Sequence, residues 1–299
     1  NNEAMSALGR PNRETNFDII RLACAILVMI THSISWCGLE DPVFKYFGGV
    51  QTASGWGVAT FFVVSGYFVT KSVTTRATKD YLLSRCFRIL PALAVVVLVS
   101  VLILGPMVTT LTSSDYFSND QTWRYLGTAT AIKISYHLPG VFAENPDTGV
   151  NGSLWTLPFE ATFYLLLPFM LAVRALEPRV IALLILASIG GFIYMQSRLH
   201  YSYSAPGYVI SEGLLLFPLA TFAACFLGGS FLWLARDLVP MNGSLAAAAA
   251  ILLISSWSGT AKVAIFHLAL PYLVIYLGTR PAVLKHIGVD RTAPGLQND

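Results

Sequence analysis

The sequence predicts an all-α, polytopic transmembrane helical bundle of about eight spans. Three observations lead there. The 299 residues are 55% hydrophobic and only 12% charged, about half the charge of an ordinary soluble domain. The charges are unevenly spread. None falls between Lys45 and Lys71, Arg88 and Asp115, Arg179 and Arg198, Glu212 and Arg236, Asp237 and Lys262, or Lys262 and Arg280, and roughly 20 apolar residues cross a bilayer as a helix. The basic residues also gather at alternate ends of the apolar runs, as cytoplasmic loops require. A net charge of +3 is too small to point to nucleic acid, so the surrounding partner is the lipid bilayer.

The spans follow in order. The first, 17–37, opens "FDIIRLACAILVMITHS", and the second, 54–72, contains "FFVVSGYFVTKS", whose Ser65-Gly66 pair suits close helix packing better than a serine nucleophile. The third, 89–108, is "ILPALAVVVLVSVLILG" and its flank, entered through the basic "RCFRILP". The fourth, 152–173, begins "NGSLWTLPFEATFYLLLP", with Pro158 expected to kink it. The remaining four cover 180–196, 213–235, 243–258 and 262–279. Residues 124–143 are weakly apolar, interrupted by Lys133, and are expected to be interfacial or re-entrant. The spans form a single membrane-embedded domain over 1–299, ending in a polar tail from 280, and no repeat is evident. A polar lead precedes a first span long enough to cross, so a cleaved signal peptide is not expected.

An N-terminus in the cytoplasm puts Arg10, Arg13, Arg21, Lys71, Arg76, Lys79, Arg85, Arg88, Arg174, Arg179, Arg236, Arg280, Lys285 and Arg291 inside. Only Lys45, Arg124, Lys133, Arg198 and Lys262 remain outside. A multi-pass protein of the cell's inner membrane, with the long connection 109–151 facing outward, fits this pattern. A loop of that length is often functional. The four cysteines, Cys24, Cys37, Cys86 and Cys225, show no CxxC spacing. They indicate buried thiols, and neither a metal site nor a disulfide framework.

Ionisable groups at membrane depth mark function, because each costs at least ~2.5 kcal/mol there. Arg21 and His32 are eleven residues apart, near three helical turns, so they share a face ~16 Å apart along the axis. Arg21 is either a snorkelling anchor or an anion ligand. His32 is either a satisfied polar residue or a general base, since imidazole titrates near neutrality. Glu160 lies ~12 Å along the fourth span from Gly152 at 1.5 Å per residue. That places it in the outer half near the depth of His32, which it could orient; the alternative is a structural pairing with Arg124 or a helix end. Arg85 and Arg88, at i and i+3, share a face and suit either anionic lipid or a phosphorylated donor at a cytoplasmic mouth.

These four stretches, in this order over about residues 15–170, resemble the acyltransferase-3 family of integral-membrane acyltransferases. The segment from "TWRYLG" to "NGSLWTL" also resembles members that acylate exopolysaccharides or other surface glycans. The resemblance implies O-acyl transfer, typically of acetyl from cytoplasmic acetyl-CoA to a hydroxyl of an extracytoplasmic carbohydrate, with no metal. It assigns Arg21, His32, Arg85 and Arg88 to the active region. It also implies ten spans with a late D-x-S-Y-G-like motif, whereas eight are present and the chain closes on the polar "KHIGVDRTAPGLQND". The rival classes are a proton-coupled transporter or flippase and an inactive scaffold in a glycan-assembly complex.

Overall fold

A computed structural model describes residues 15–37, 39, 41, 43–44, 52–145, 148–199, 216–255 and 259–280. The polar lead with Arg10 and Arg13, Lys45, Asp147, Glu212, Lys285, Arg291 and the tail lie outside them. The described residues form no strand, only one isolated bridge between Thr109 and Val141. The principal helices are α1 (Thr15–Trp36), α2 (Ala53–Thr75), α3 (Thr78–Val108), α4 (Ser113–Ser118) and α5 (Asp120–Arg124). They continue as α6 (Leu157–Ala172), α7 (Pro178–Leu199), α8 (Leu216–Leu234), α9 (Gly243–Ile254) and α10 (Gly259–Thr279). Six segments are long and apolar enough to cross a membrane: Asn16–Ile34, Ala53–Thr75, Thr78–Val108, Gly152–Ala172, Pro178–Met195 and Thr260–Thr279. The apolar helices Leu219–Leu234 and Gly243–Ile254 are shorter. The molecule is an all-α multi-pass membrane protein.

The chain gathers into two compact units. The first contains the described residues up to Ser33, those in Glu40–Tyr67, and those from Leu184 onward; the second contains Ile34–Leu39 and Phe68–Leu183. In the first, α2 and α8 cross backbone to backbone. A Cβ on Gly66 would run into the Phe226 carbonyl, and one on Gly229 into the Val63 carbonyl. Ser230 donates to the Gly66 carbonyl at 3.3 Å and to the Phe226 carbonyl at 3.0 Å. Small residues are what let helices approach this closely where lipid gives no hydrophobic drive. The Ser65-Gly66 pair therefore marks packing. At the start of α1, Asn16 donates to the carbonyls of Leu277 and Arg280 at 3.1 and 2.8 Å, and the Phe17 ring fills the space that Gly278 leaves.

In the second unit α3 is longer than its apolar run. It begins at Thr78 and reaches Val108, 31 residues, about 46 Å at 1.5 Å per residue, against ~30 Å of hydrocarbon. The basic stretch expected to be a loop before the third span is helix from Thr78 onward. Charge marks depth, and an α-helix carries it as readily as a loop does.

Near its far end α3 loosens into a π turn at Ser100–Leu104, where the Gly105 N–H reaches the Ser100 carbonyl. Pro106 explains the turn: with no N–H and a ring that crowds the preceding turn, proline shifts the ladder. In the five-residue register the donor due to the Val101 carbonyl is residue 106 itself. The buried Tyr116 hydroxyl supplies it instead, at 3.0 Å.

Beyond α3 the segment from Ser113 to Asn151 folds as a small core. Tyr116, Tyr125, Leu138, Val141 and Val150 pack on Leu93, Val97 and Val101. The Tyr125 hydroxyl donates to the Val150 carbonyl at 3.1 Å. Asn151, at φ 57°, donates to Ser100 Oγ at 2.7 Å and to the Tyr125 oxygen at 3.2 Å. Residues 124–143 thus form a short 3-10 turn, Tyr125–Thr130, and packed irregular chain. Pro158 does not kink the fourth span; it occupies the first turn of α6, where its missing N–H costs nothing. All four cysteines are free thiols. Only Cys225 is fully buried, while Cys37 and Cys86 are exposed, contrary to the buried set expected.

Candidate active site

In the first unit, α1 is unbroken from Thr15 to Trp36, so the ~16 Å rise between Arg21 and His32 stands. Arg21 donates to Asp18 at 3.1 Å, one turn earlier, with the Asp18 side chain 71% exposed. His32 is half-buried near the far end of α1. Among the described residues no hydrogen bond reaches its ring, which leaves both nitrogens available to a bound molecule.

The second unit brings Arg85, Arg88 and Glu160 together. Tyr81, four residues before Arg85 on α3, is fully buried. Its hydroxyl donates to the Tyr164 carbonyl at 2.9 Å. That carbonyl has no helical donor, because the residue four positions on is Pro168, inside α6. The Arg85 guanidinium lies over both rings, 5.9 Å from the Tyr81 centroid and 5.7 Å from that of Tyr164. Cations at this distance are held by the ring quadrupole. The Tyr164 hydroxyl donates to Glu160 Oε2 at 3.2 Å, and Arg88 stands close enough for its charge to act on the same carboxylate.

Two expectations change as a result. Glu160 lies at the height of Arg85 and Arg88, so the arginines are not at the mouth while Glu160 sits far above them. From Thr78 to Arg85 is already ~10 Å of helix, and α6 continues ~18 Å past Glu160 at the same rise. The guanidiniums, in the third turn of α3 or beyond, and the carboxylate, in the first turn of α6, share one level. Arg124, offered as a structural partner for Glu160, pairs with Asp120 at 3.8 Å instead.

Sequence reasoning missed Tyr81, Tyr164 and Asn151. The first two carried a signal: each stands four residues from a candidate, Tyr81 before Arg85 and Tyr164 after Glu160, which is one helical face. Asn151 carried none, since its role depends on the π turn. Among the described residues no group of three His, Cys, Asp or Glu side chains could hold a metal ion.

Comparison with known proteins places the chain in a family. The family described as an acyltransferase domain, the acyltransferase-3 group, matches residues 14–287. An "O-acetyl transferase" of Shigella phage Sf6 is 31% identical over 156 residues, covering 50% of this chain and 44% of that protein. "Nodulation protein 10" of Rhizobium leguminosarum bv. viciae is 33% identical over 194 residues, covering 60% of this chain and 51% of its own. The chain spans about half the length of these curated relatives. No solved structure matches it. With the match running from the start of α1 past the end of α10 and enclosing every candidate residue, the chain belongs to the acyltransferase-3 family.

Proposed function

We propose that this chain is a membrane-bound O-acyltransferase that moves an acyl group, most simply acetyl from cytoplasmic acetyl-CoA, to a hydroxyl of an extracytoplasmic carbohydrate. The observation that carries the reading is the family match over residues 14–287. A relative bearing the name O-acetyl transferase supports oxygen as the acceptor atom. The basic residues support an N-terminus in the cytoplasm of a cell with the chain in its inner membrane.

In this reading Arg85 and Arg88 bind phosphate oxygens of the donor, because guanidiniums make strong charge-assisted bonds to phosphate. The Tyr81 and Tyr164 rings hold Arg85 flat for that purpose. Glu160 fixes the second guanidinium through its charge and keeps the pair from repelling. Arg21 contributes a further cation from α1. His32 takes the proton of the acceptor hydroxyl as its oxygen attacks the acyl carbonyl. The carbon–sulfur bond then breaks, and the CoA thiolate recovers a proton from the imidazolium.

Purified protein incubated with acetyl-CoA labelled in the acetyl group and with surface glycan tests the reading. Free CoA and labelled glycan are expected. Labelled donor left intact overturns it and favours the transporter or scaffold class.

A further inference from the structure

The first unit holds a buried imidazole that no part of this chemistry uses. His267, on α10, is 2% exposed. Its Nδ1 lies 2.8 Å from the Val263 carbonyl. A carbonyl only accepts, so Nδ1 carries the hydrogen and Nε2 of the neutral ring presents a lone pair. Nε2 is buried with no hydrogen-bond partner. The ring is walled by Phe192 at 5.6 Å and Phe266 at 5.2 Å, neither of which offers a donor.

The backbone repeats the deficit at the same residue. Pro271 sits inside α10 four positions on, so the His267 carbonyl loses its helical N–H. In the second unit the equivalent carbonyl at Tyr164 receives the Tyr81 hydroxyl. Among the described residues no side chain donates to the carbonyl of His267. Two acceptors therefore face an apolar interior without a donor, a pairing that native interiors rarely leave unmet.

Height locates them. A Cβ on Gly57 would touch Val28 Cγ2 at 2.9 Å and the Cys24 carbonyl at 3.1 Å. The neighbouring Trp56 ring packs edge-on against Phe266 at 4.9 Å. His267, next to Phe266, thus lies level with the Cys24–Val28 turn of α1. The lower anchor agrees: Asn16 bonds the Leu277 carbonyl, and His267 is ~15 Å up α10 from there at 1.5 Å per residue. That height is between Arg21 and His32.

We propose that Nε2 of His267 accepts a hydrogen bond from the pantetheine arm of the acyl donor, whose amide N–H and hydroxyl groups need acceptors once they leave water. The inference rests on the acyl-CoA donor proposed above. It makes His267 a donor-binding residue midway along the arm.

The test compares binding of acetyl-CoA and of adenosine 3′,5′-bisphosphate, which lacks the arm, to purified full-length chain in detergent micelles. His267→Phe keeps an aromatic ring in the space and removes the acceptor. Acetyl-CoA is expected to bind about tenfold more weakly, with adenosine 3′,5′-bisphosphate unchanged. His267→Gln, which retains an acceptor oxygen, restores most of the loss, and His267→Leu gives the same reading if the Phe variant does not fold. Unchanged acetyl-CoA affinity in the apolar variants overturns the proposal, as does equal weakening of both probes. A wild-type chain that binds neither probe overturns the acyl-CoA reading itself, so the two failures are distinguishable.

Discussion

Tyr81→Phe removes one oxygen and keeps the ring under Arg85. The Tyr164 carbonyl then has no donor from α6, because residue 168 is proline, and none from α3, because the hydroxyl at 2.9 Å is gone. The carbonyl is deep in the second unit, where Tyr81 is 0% and Tyr164 6% exposed. Leaving a buried acceptor unmet costs about 1–3 kcal/mol. Pro168→Ala should reverse it by returning the N–H to the helix. The double variant is therefore expected to recover at least half of the single loss, a coupling of about 1 kcal/mol between residues on different helices. Reversible unfolding in mixed micelles, followed by tryptophan fluorescence, measures all four corners of the cycle. Effects that simply add, or a Tyr81→Phe loss below about 0.5 kcal/mol, would refute the claim that this hydroxyl answers a proline.

Three further outcomes follow from the same geometry. Arg85→Ala combined with Arg88→Ala should weaken acetyl-CoA binding at least tenfold, roughly the worth of one lost charge-assisted bond, with wild-type affinity falling as salt rises; an unchanged affinity by titration assigns the pair to lipid. Gly66→Ala should destabilise the first unit by about 1–3 kcal/mol, the usual cost of overpacking, because its new methyl meets the Phe226 carbonyl, whereas Gly127→Ala, with nothing within 4 Å, should be near neutral in the same unfolding assay. Burial pushes the Tyr116 and Tyr125 phenols above the usual tyrosine range, with hydrogen bonds at Asn151 and Ser100 partly opposing this for Tyr125. A raised folded value means that their contribution is complete below pH ~10, where unfolded tyrosine titrates, and is lost as pH rises through the folded values. The unfolding midpoint should therefore drop above pH ~10, and Tyr116→Phe with Tyr125→Phe should flatten that drop; a parallel fall in both proteins contradicts it.

The helical architecture was legible because apolar run length and charge spacing are one-dimensional quantities. So was the shared helical face of Arg21 and His32, which needs only a continuous α1. What the sequence hid arises where one helix answers another. The level of Glu160 depended on where α3 begins, and the charged residues from Lys79 to Arg88 resemble a loop until the helix is seen to pass through them. The partners of the proline-freed carbonyls are remote in sequence: Tyr116 is 15 residues from Val101, and Tyr81 is 83 from Tyr164. Pro106, Pro168 and Pro271 were visible as helix breakers. Which carbonyl each would free, and what would come to meet it, required the third dimension. His267 remained silent for the same reason, since a histidine in an apolar run reads as core until its second nitrogen is found without a partner.

The central claim is that His32 is the base that draws the proton from the acceptor hydroxyl. Single-turnover acetyl transfer to surface glycan at saturating acetyl-CoA, for wild type and His32→Ala, tests it most directly. The variant should fold and should bind acetyl-CoA as wild type does, since Arg21 lies ~16 Å along α1 from the lost ring. Its transfer rate should fall by roughly 10²-fold or more, the ordinary contribution of a positioned acid–base group. Equal rates in the two proteins would contradict the account and move the search for the base to Glu160.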